Sequence, residues 1–343
     1  MAGCYIGRMP PRMAEIEVPF FVFGDSLFDP SNNNYLNGTI AGQATAWPYG
    51  ETFFKRATGR LSDGRIVPDF TAEFFRLPIW KPYLEPGQRR FAGGANFASG
   101  GAGVLSQTHP GTISLREQLS YFKEVVKTLK QQFGDLQTKR LLTKAVYLFS
   151  MGGNDYFSFY SSYPSASQSS QKRFVATVLG NLTQVLEEIY SVGGRKIAFQ
   201  NVGALGCVPI NRAKTTDGSC LDGLSAMARQ HNYGLSHSLA NLERRLPGFK
   251  YSIFDYYHAI LDRVNHPKKH GFTNGTLPCC GGATGNCGGR AGTIEVCSDP
   301  SKYVWFDGGH TTEACNWQLA KLMWKGKADI VGPRNFKQLY DLM

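Results

Sequence analysis

The sequence predicts a three-layer α/β/α sandwich on a doubly wound parallel sheet. Short apolar runs end abruptly in glycine or polar turns, as strands covered on both faces do. Amphipathic helical patterns separate those runs, and alternation of this kind builds a parallel sheet. No linker-like stretch divides the 343 residues, so residues 18–343 are expected to form a single domain.

The elements follow in order. Residues 1–17 lack the apolar segment of an intact signal peptide and are expected to lie outside the fold, as a processed or added N-terminus. The first strand is Phe20–Gly24, running into Asp25, Ser26, Leu27 and an Asn-rich stretch. A helix starts at the capping box Ser114–Glu117, and Leu115, Leu119, Phe122, Val126, Leu129 and Phe133 form its apolar stripe. The second strand is Ala145–Ser150. A helix carrying Val175, Val178, Leu182, Val185 and Ile189 leads to a third strand, Arg195–Gln200. The next helix presents Met227, His231, Leu235, Leu239, Leu242 and Leu246 and stops at Pro247–Gly248. Tyr251–Phe254 is the fourth strand. A Gly/Cys-rich insertion occupies about 271–300, and a last amphipathic pattern carries Leu319, Ala320, Met323 and Trp324.

Composition bounds the function. The net charge of +11 is dispersed rather than gathered on one arm, which argues against a nucleic-acid partner. No apolar run is long enough to span a bilayer. Seven of the eight cysteines lie after position 206, six of them in irregular Gly-rich segments that need staples. Cys207 and Cys220 close a short loop and are the simplest pair to propose. Pairing among Cys279, Cys280, Cys287 and Cys297 stays open, and their spacing lacks the paired knuckles of zinc sites. Cys315 is expected as a free buried thiol. Sequons at Asn37, Asn181 and Asn274 join the cysteines in pointing to the secretory route.

Ligands of doubly wound sheets sit beyond the carboxyl ends of the strands. There the sequence places Gly24-Asp25-Ser26 and Gly152-Gly153-Asn154-Asp155. Acyl transfer needs a hydroxyl nucleophile, a base, a group that orients the base, and donors for an oxyanion. Ser26 offers the hydroxyl, although Asp-Ser after a strand is commonly only a turn or helix cap. Among the histidines, His109, His266 and His270 fall in loops, His231 and His237 on a helix as structural residues, and His258 after a strand. His310 stands apart, because Asp307 lies three residues before it on a turn and can reach its imidazole. Asn154 offers a side-chain amide. The small residues of Phe97–Gly103 offer close backbone N–H groups.

In this order, Gly24-Asp25-Ser26-Leu27, the block Asn96–Gly103, Gly152-x-Asn154-Asp155 and Asp307-x-x-His310 resemble the GDSL esterase/lipase family of the SGNH hydrolase superfamily, in its plant branch. Phe28–Asn34, Trp47-Pro48-Tyr49-Gly50, Gly59–Arg65 and Pro278-Cys279-Cys280-Gly281 resemble it too. The resemblance implies a flavodoxin-like fold, a secreted or secretory-pathway protein, and no metal or other cofactor. It implies Ser26 as nucleophile, His310 as base and Asp307 as its orienting carboxylate. It also implies an oxyanion hole of the Ser26 N–H, the Gly101 N–H (Gly100 in an alternative register) and the Asn154 amide. One departure stands out: the family usually follows this histidine with Pro-Thr, and here Thr311-Thr312 follows Gly308-Gly309-His310. A less rigid base loop is therefore expected.

The expected activity is hydrolysis of carboxylic esters, of lipids or specialised metabolites, through an acyl-enzyme. The alternative is acyl transfer by the same residues to an alcohol acceptor, with Tyr156–Tyr163 either lining its pocket or forming a surface loop. A rival of another class is a non-catalytic binding protein on this fold. A monomer is expected, with no partner beyond small-molecule substrates.

Overall fold

The computed structural model describes residues 18–37, 44–88, 90–288 and 293–342. The expectation for residues 1–17, and Gly38 and Thr39 of the first sequon, lie outside them. The order is β1 (Phe20–Gly24), α1 (Val67–Phe74), β2 (Gly94–Asn96), α2 (Leu115–Lys144), β3 (Val146–Ser150), α3 (Gly153–Ser162), α4 (Gln168–Ser191) and β4 (Lys196–Gln200). Then come α5 (Pro209–Arg212), α6 (Asp222–Arg245), β5 (Lys250–Phe254), α7 (Tyr256–Asn265), β6 (Asn274–Pro278), β7 (Tyr303–Trp305), α8 (Glu313–Lys325), β8 (Val331–Gly332) and α9 (Phe336–Asp341).

The main sheet runs β2-β1-β3-β4-β5-β8, parallel except for β8. Its first five strands follow the flavodoxin-like order, whose reversal point lies between β1 and β3. Strand β1 is buried along its whole length. Its side chains alternate between faces, as the two-residue period of a strand requires. Phe20 packs on Phe75 and Phe336, beside the α1, α8 and α9 layer. Phe21 and Phe23 pack edge-on against Phe122 of α2, in the α2, α4 and α6 layer. Phe23, Phe149 and Phe199 stack across β1, β3 and β4 at 4.8 and 5.0 Å.

Ser114 caps α2 through the expected box with Glu117. The helix continues to Lys144 beyond its predicted stripe because a kink at Gly134 (φ 78°) redirects it, so that Leu141 and Leu142 are buried as well. Four strands, β2, β6, β7 and β8, were not announced by the sequence, and two of them, β2 and β8, belong to the main sheet. In β2, Gly94 has φ 108°, and a Cβ there would lie 1.7 Å from the Phe20 carbonyl oxygen. Only glycine lets this strand reach β1. Strand β8 is two residues long, too short for any periodicity.

The region near 271–300 carries β6, which pairs with β7 in a separate small sheet. Disulfides join Cys279 to Cys297, Cys280 to Cys287 and, elsewhere, Cys207 to Cys220. Cys315 is a buried free thiol, its pKa pushed up to about 12 by burial. Tyr156–Tyr163 is not a surface loop: almost all of it is α3, whose first turn packs inward. Tyr156 is fully buried and its hydroxyl meets His231 Nδ1 at 2.6 Å, while Phe159 stacks on Phe174 of α4 at 4.3 Å. No described helix is long and apolar enough to cross a membrane.

Candidate active site

Ser26 stands at the end of β1, one turn beyond the ladder. Where the strand stops, buried Gln118 of α2 takes over its backbone partners, accepting from Gly24 N–H at 2.9 Å and donating to Gly24 O at 2.8 Å. Asp25 Oδ1 accepts the Leu27 N–H at 3.1 Å, an Asx turn that lifts Ser26 to the tip. Burial raises the Asp25 carboxyl to about 7, partly offset by that N–H and by nearby His310.

His310 arrives from the other end of the chain, between β7 and α8. Its Nε2 lies 2.8 Å from Ser26 Oγ, and its Nδ1 lies 2.7 and 2.9 Å from the two Asp307 oxygens. An ionised carboxylate only accepts, so Nδ1 carries the proton and Nε2 is left as the acceptor for the serine hydroxyl. Asp307 Oδ1 also accepts the N–H groups of Gly309 and His310, at 2.9 and 2.8 Å. Burial works to raise the Asp307 pKa, but the charge and hydrogen bond of His310 outweigh it and hold the carboxyl below its usual value. For His310, burial works downward, while the charge and hydrogen bond of Asp307, with the charge of Asp25, bring the net shift upward.

The loop carrying this histidine is not loose. Gly308 N–H donates to Gly285 O, and Gly308 O accepts from Ile210 N–H, both at 3.0 Å. Disulfides Cys280–Cys287 and Cys207–Cys220 stand beside those two clamps. Gly285 has φ 68°, and a Cβ there would fall 2.1 Å from Gly308 N, so the clamp needs glycine. Thr311, where the family usually has proline, is buried; its hydroxyl donates to Asn316 Oδ1 at 2.6 Å and its carbonyl accepts from Ser62 Oγ at 3.0 Å. Tertiary hydrogen bonds supply the rigidity that the sequence lacked locally.

Gly101 and Asn154 meet beside Ala102, whose carbonyl accepts from Asn154 Nδ2 at 2.9 Å. The second amide N–H of Asn154 remains unpaired among the described residues. The Gly100 N–H is taken by Asp29 Oδ2 at 2.9 Å. The N–H groups of Ser26 and Gly101 have no partner among the described residues. This segment is bolted to α3. Asp155 accepts from Val104 N–H, Leu105 N–H and the Thr108 hydroxyl at 2.7–3.0 Å. His109 joins Gly101 O (2.8 Å) to Ser158 Oγ (3.2 Å). Nothing local in the sequence marked His109 for that position. His258, exposed, binds Asp255, and buried His231 binds Tyr156.

The Asn-rich stretch after Ser26 is an internal brace. Asn32 is fully buried; its amide donates to Asn96 O and Ala98 O at 3.0 and 2.8 Å, and its Oδ1 accepts from Leu84 N–H. Asn33 donates to Gly100 O at 2.8 Å. Asn32→Ala leaves those buried backbone groups unpaired and is expected to destabilise by about 2–4 kcal/mol in urea unfolding. A loss under about 0.5 kcal/mol would contradict the bracing role.

A model of the family described as GDSL-like Lipase/Acylhydrolase matches residues 20–323. Over 335 residues the chain is 43% identical to GDSL esterase/lipase 1 of Arabidopsis thaliana, covering 94% of this chain and 90% of that protein. It is also 43% identical over 326 residues to the GDSL lipase of Tanacetum cinerariifolium, covering 94% and 87%. A third relative, named Inactive GDSL esterase/lipase-like protein 25, from Arabidopsis thaliana, is 38% identical over 320 residues, covering 93% and 74%. With matches of this extent, the chain belongs to the GDSL-like lipase/acylhydrolase family, a family of ester hydrolases.

Proposed function

We propose that this protein is a serine carboxylic-ester hydrolase whose nucleophile is Ser26, whose base is His310 and whose base-orienting group is Asp307. One observation carries the reading: the hydrogen-bonded line Ser26 Oγ, His310 Nε2, His310 Nδ1, Asp307. Because one relative is named inactive, membership alone does not decide turnover, and this line is the reason for assigning it here.

In the first step Ser26 Oγ attacks the ester carbonyl carbon while its proton passes to His310 Nε2. The imidazolium that forms is stabilised by Asp307. The carbonyl oxygen becomes an oxyanion, received by the N–H groups of Ser26 and Gly101 and the free amide N–H of Asn154. The tetrahedral intermediate collapses, and the alcohol leaves with the proton from His310. Water, deprotonated by His310, then attacks the acyl-Ser26 ester and releases the acid. An alcohol in place of water would make the product a new ester, which is the acyltransferase alternative.

The disulfides and the plant relatives are consistent with a secretory-pathway location, since such bonds persist in oxidising compartments.

The test is reaction with a fluorophosphonate probe, alongside hydrolysis of p-nitrophenyl butyrate with and without a primary alcohol. The expected result is one label per chain, on Ser26, and butyrate release proportional to the unlabelled fraction. The butyrate ester of the added alcohol as the main product would favour the transferase. Absence of both labelling and turnover would overturn the reading in favour of a binding protein.

A further inference from the structure

Tyr49 follows the Trp47–Pro48 peptide and is 3% exposed. Its ring packs edge-on against Phe306, the residue before Asp307, at 5.3 Å. Its hydroxyl donates to Asp307 Oδ2 at 3.0 Å. Among the described residues, the remaining donors to this carboxylate are His310 itself and the backbone N–H groups of Gly309 and His310, and those two N–H groups reach only Oδ1. Among the described residues, Oδ2 is therefore fixed by Tyr49 and the imidazole alone. The catalytic steps above give this hydroxyl no part, yet a buried tyrosine hydroxyl on a buried carboxylate is a charge-assisted contact.

We propose that Tyr49 is a positioning residue for the base: its hydroxyl locks the plane of the Asp307 carboxylate and withdraws charge from it, and so tunes how tightly His310 holds its proton. The proposal rests on the reading of Ser26, His310 and Asp307 as an ester-cleaving site. Its sign follows from electrostatics. A carboxylate that has lost a donor concentrates more negative charge toward the imidazolium and favours it more strongly. His310 then keeps its proton to higher pH, and the base is lost over a wider acidic range. The charged groups acting on His310 are Asp307 and Asp25, with Asp155 acting on Asp25 in turn. Tyr49→Phe leaves all three in place.

The experiment measures kcat/KM for p-nitrophenyl butyrate against pH in the wild type and in Tyr49→Phe. In parallel, the downfield Nδ1–H resonance of His310 is titrated by NMR. The expected result is an acidic limb moved to higher pH, with kcat/KM reduced about 3- to 10-fold below the limb and converging with the wild type above it. The NMR midpoint is expected to move in the same direction. Site-specific replacement of Tyr49 by 3-fluorotyrosine, whose shape is nearly unchanged and whose hydroxyl is a stronger donor, is expected to move the limb the other way. It also keeps the proposal testable if the phenylalanine variant fails to fold. An unmoved limb and an unmoved NMR midpoint would overturn the proposal, even with a uniform fall in rate, since that is the signature of a purely structural role. Should the wild type hydrolyse no ester, the hydrolase reading fails, while the NMR titration still decides how Tyr49 acts on His310.

Discussion

Ser26→Ala is expected to fold as the wild type does and to lose at least about 10⁴-fold in kcat on short acyl esters, with fluorophosphonate labelling abolished. Among the described residues the hydroxyl's one hydrogen bond is to His310 Nε2, so its removal strands no buried partner there beyond the imidazole. The turn beneath it is built by Asp25 and Gln118, which the substitution does not touch. A thermal midpoint within about 2 °C of the wild type is therefore expected, and the lost turnover then belongs to chemistry rather than to unfolding. Residual rate above the uncatalysed reaction is expected from the oxyanion donors, which remain. Activity above about 1% of wild type in this variant, with contamination excluded by active-site titration, would remove Ser26 as the nucleophile.

Asn154→Ala is expected to lower kcat by about 10²–10³-fold and to change KM little. The split follows from when the contact forms. A carbonyl oxygen carries little charge in the ground state, and the amide gains most of its interaction as the oxyanion develops. Asn154 also holds the Ala102 carbonyl through its other N–H, so the variant is expected to lose about 1 kcal/mol of stability as well. The two effects are measured separately, by steady-state kinetics and by urea unfolding. A stability loss without the fall in kcat would make Asn154 a brace and leave the oxyanion to the two backbone N–H groups.

Much of the frame was legible because it is written in periodicity. Phe20–Gly24 is apolar throughout, and Val146–Ser150 and Lys196–Gln200 have apolar centres, which marks strands covered on both faces. Met227 to Leu246 steps at helical spacing, and α6 runs from Asp222 to Arg245. Elements without periodicity were not legible. Strand β2 is Gly-Ala-Asn, and its place against β1 depends on one glycine at positive φ. Tyr156 to Tyr163 carries aromatics at many neighbouring positions, and only its contacts with His231 and Phe174 reveal a packed helix.

The same division runs through the site. Ser26, Asn154, Asp307 and His310 could be picked out because acyl chemistry restricts residue types and doubly wound sheets gather such groups at strand ends. Gly101 was one of two registers. The Gly100 N–H is occupied by Asp29, whereas the Gly101 N–H has no partner among the described residues, which supports the Gly101 register in the proposed oxyanion hole. The Gly-Gly before His310 suggested a loose loop. In the fold, Gly285 and Ile210 hold Gly308 from two sides, and Tyr49 holds Asp307 from a third.

The sequence by itself determined the layered α/β architecture and the chemical identities of the groups at the strand ends, because both depend on local pattern and residue type. The tertiary structure alone decided which donors stay free, which are consumed, and how firmly the His310 loop is held. Those properties depend on partners such as Tyr49 and Asp307, 258 positions apart in the chain, and a hydrogen bond between distant residues leaves no spacing to be read.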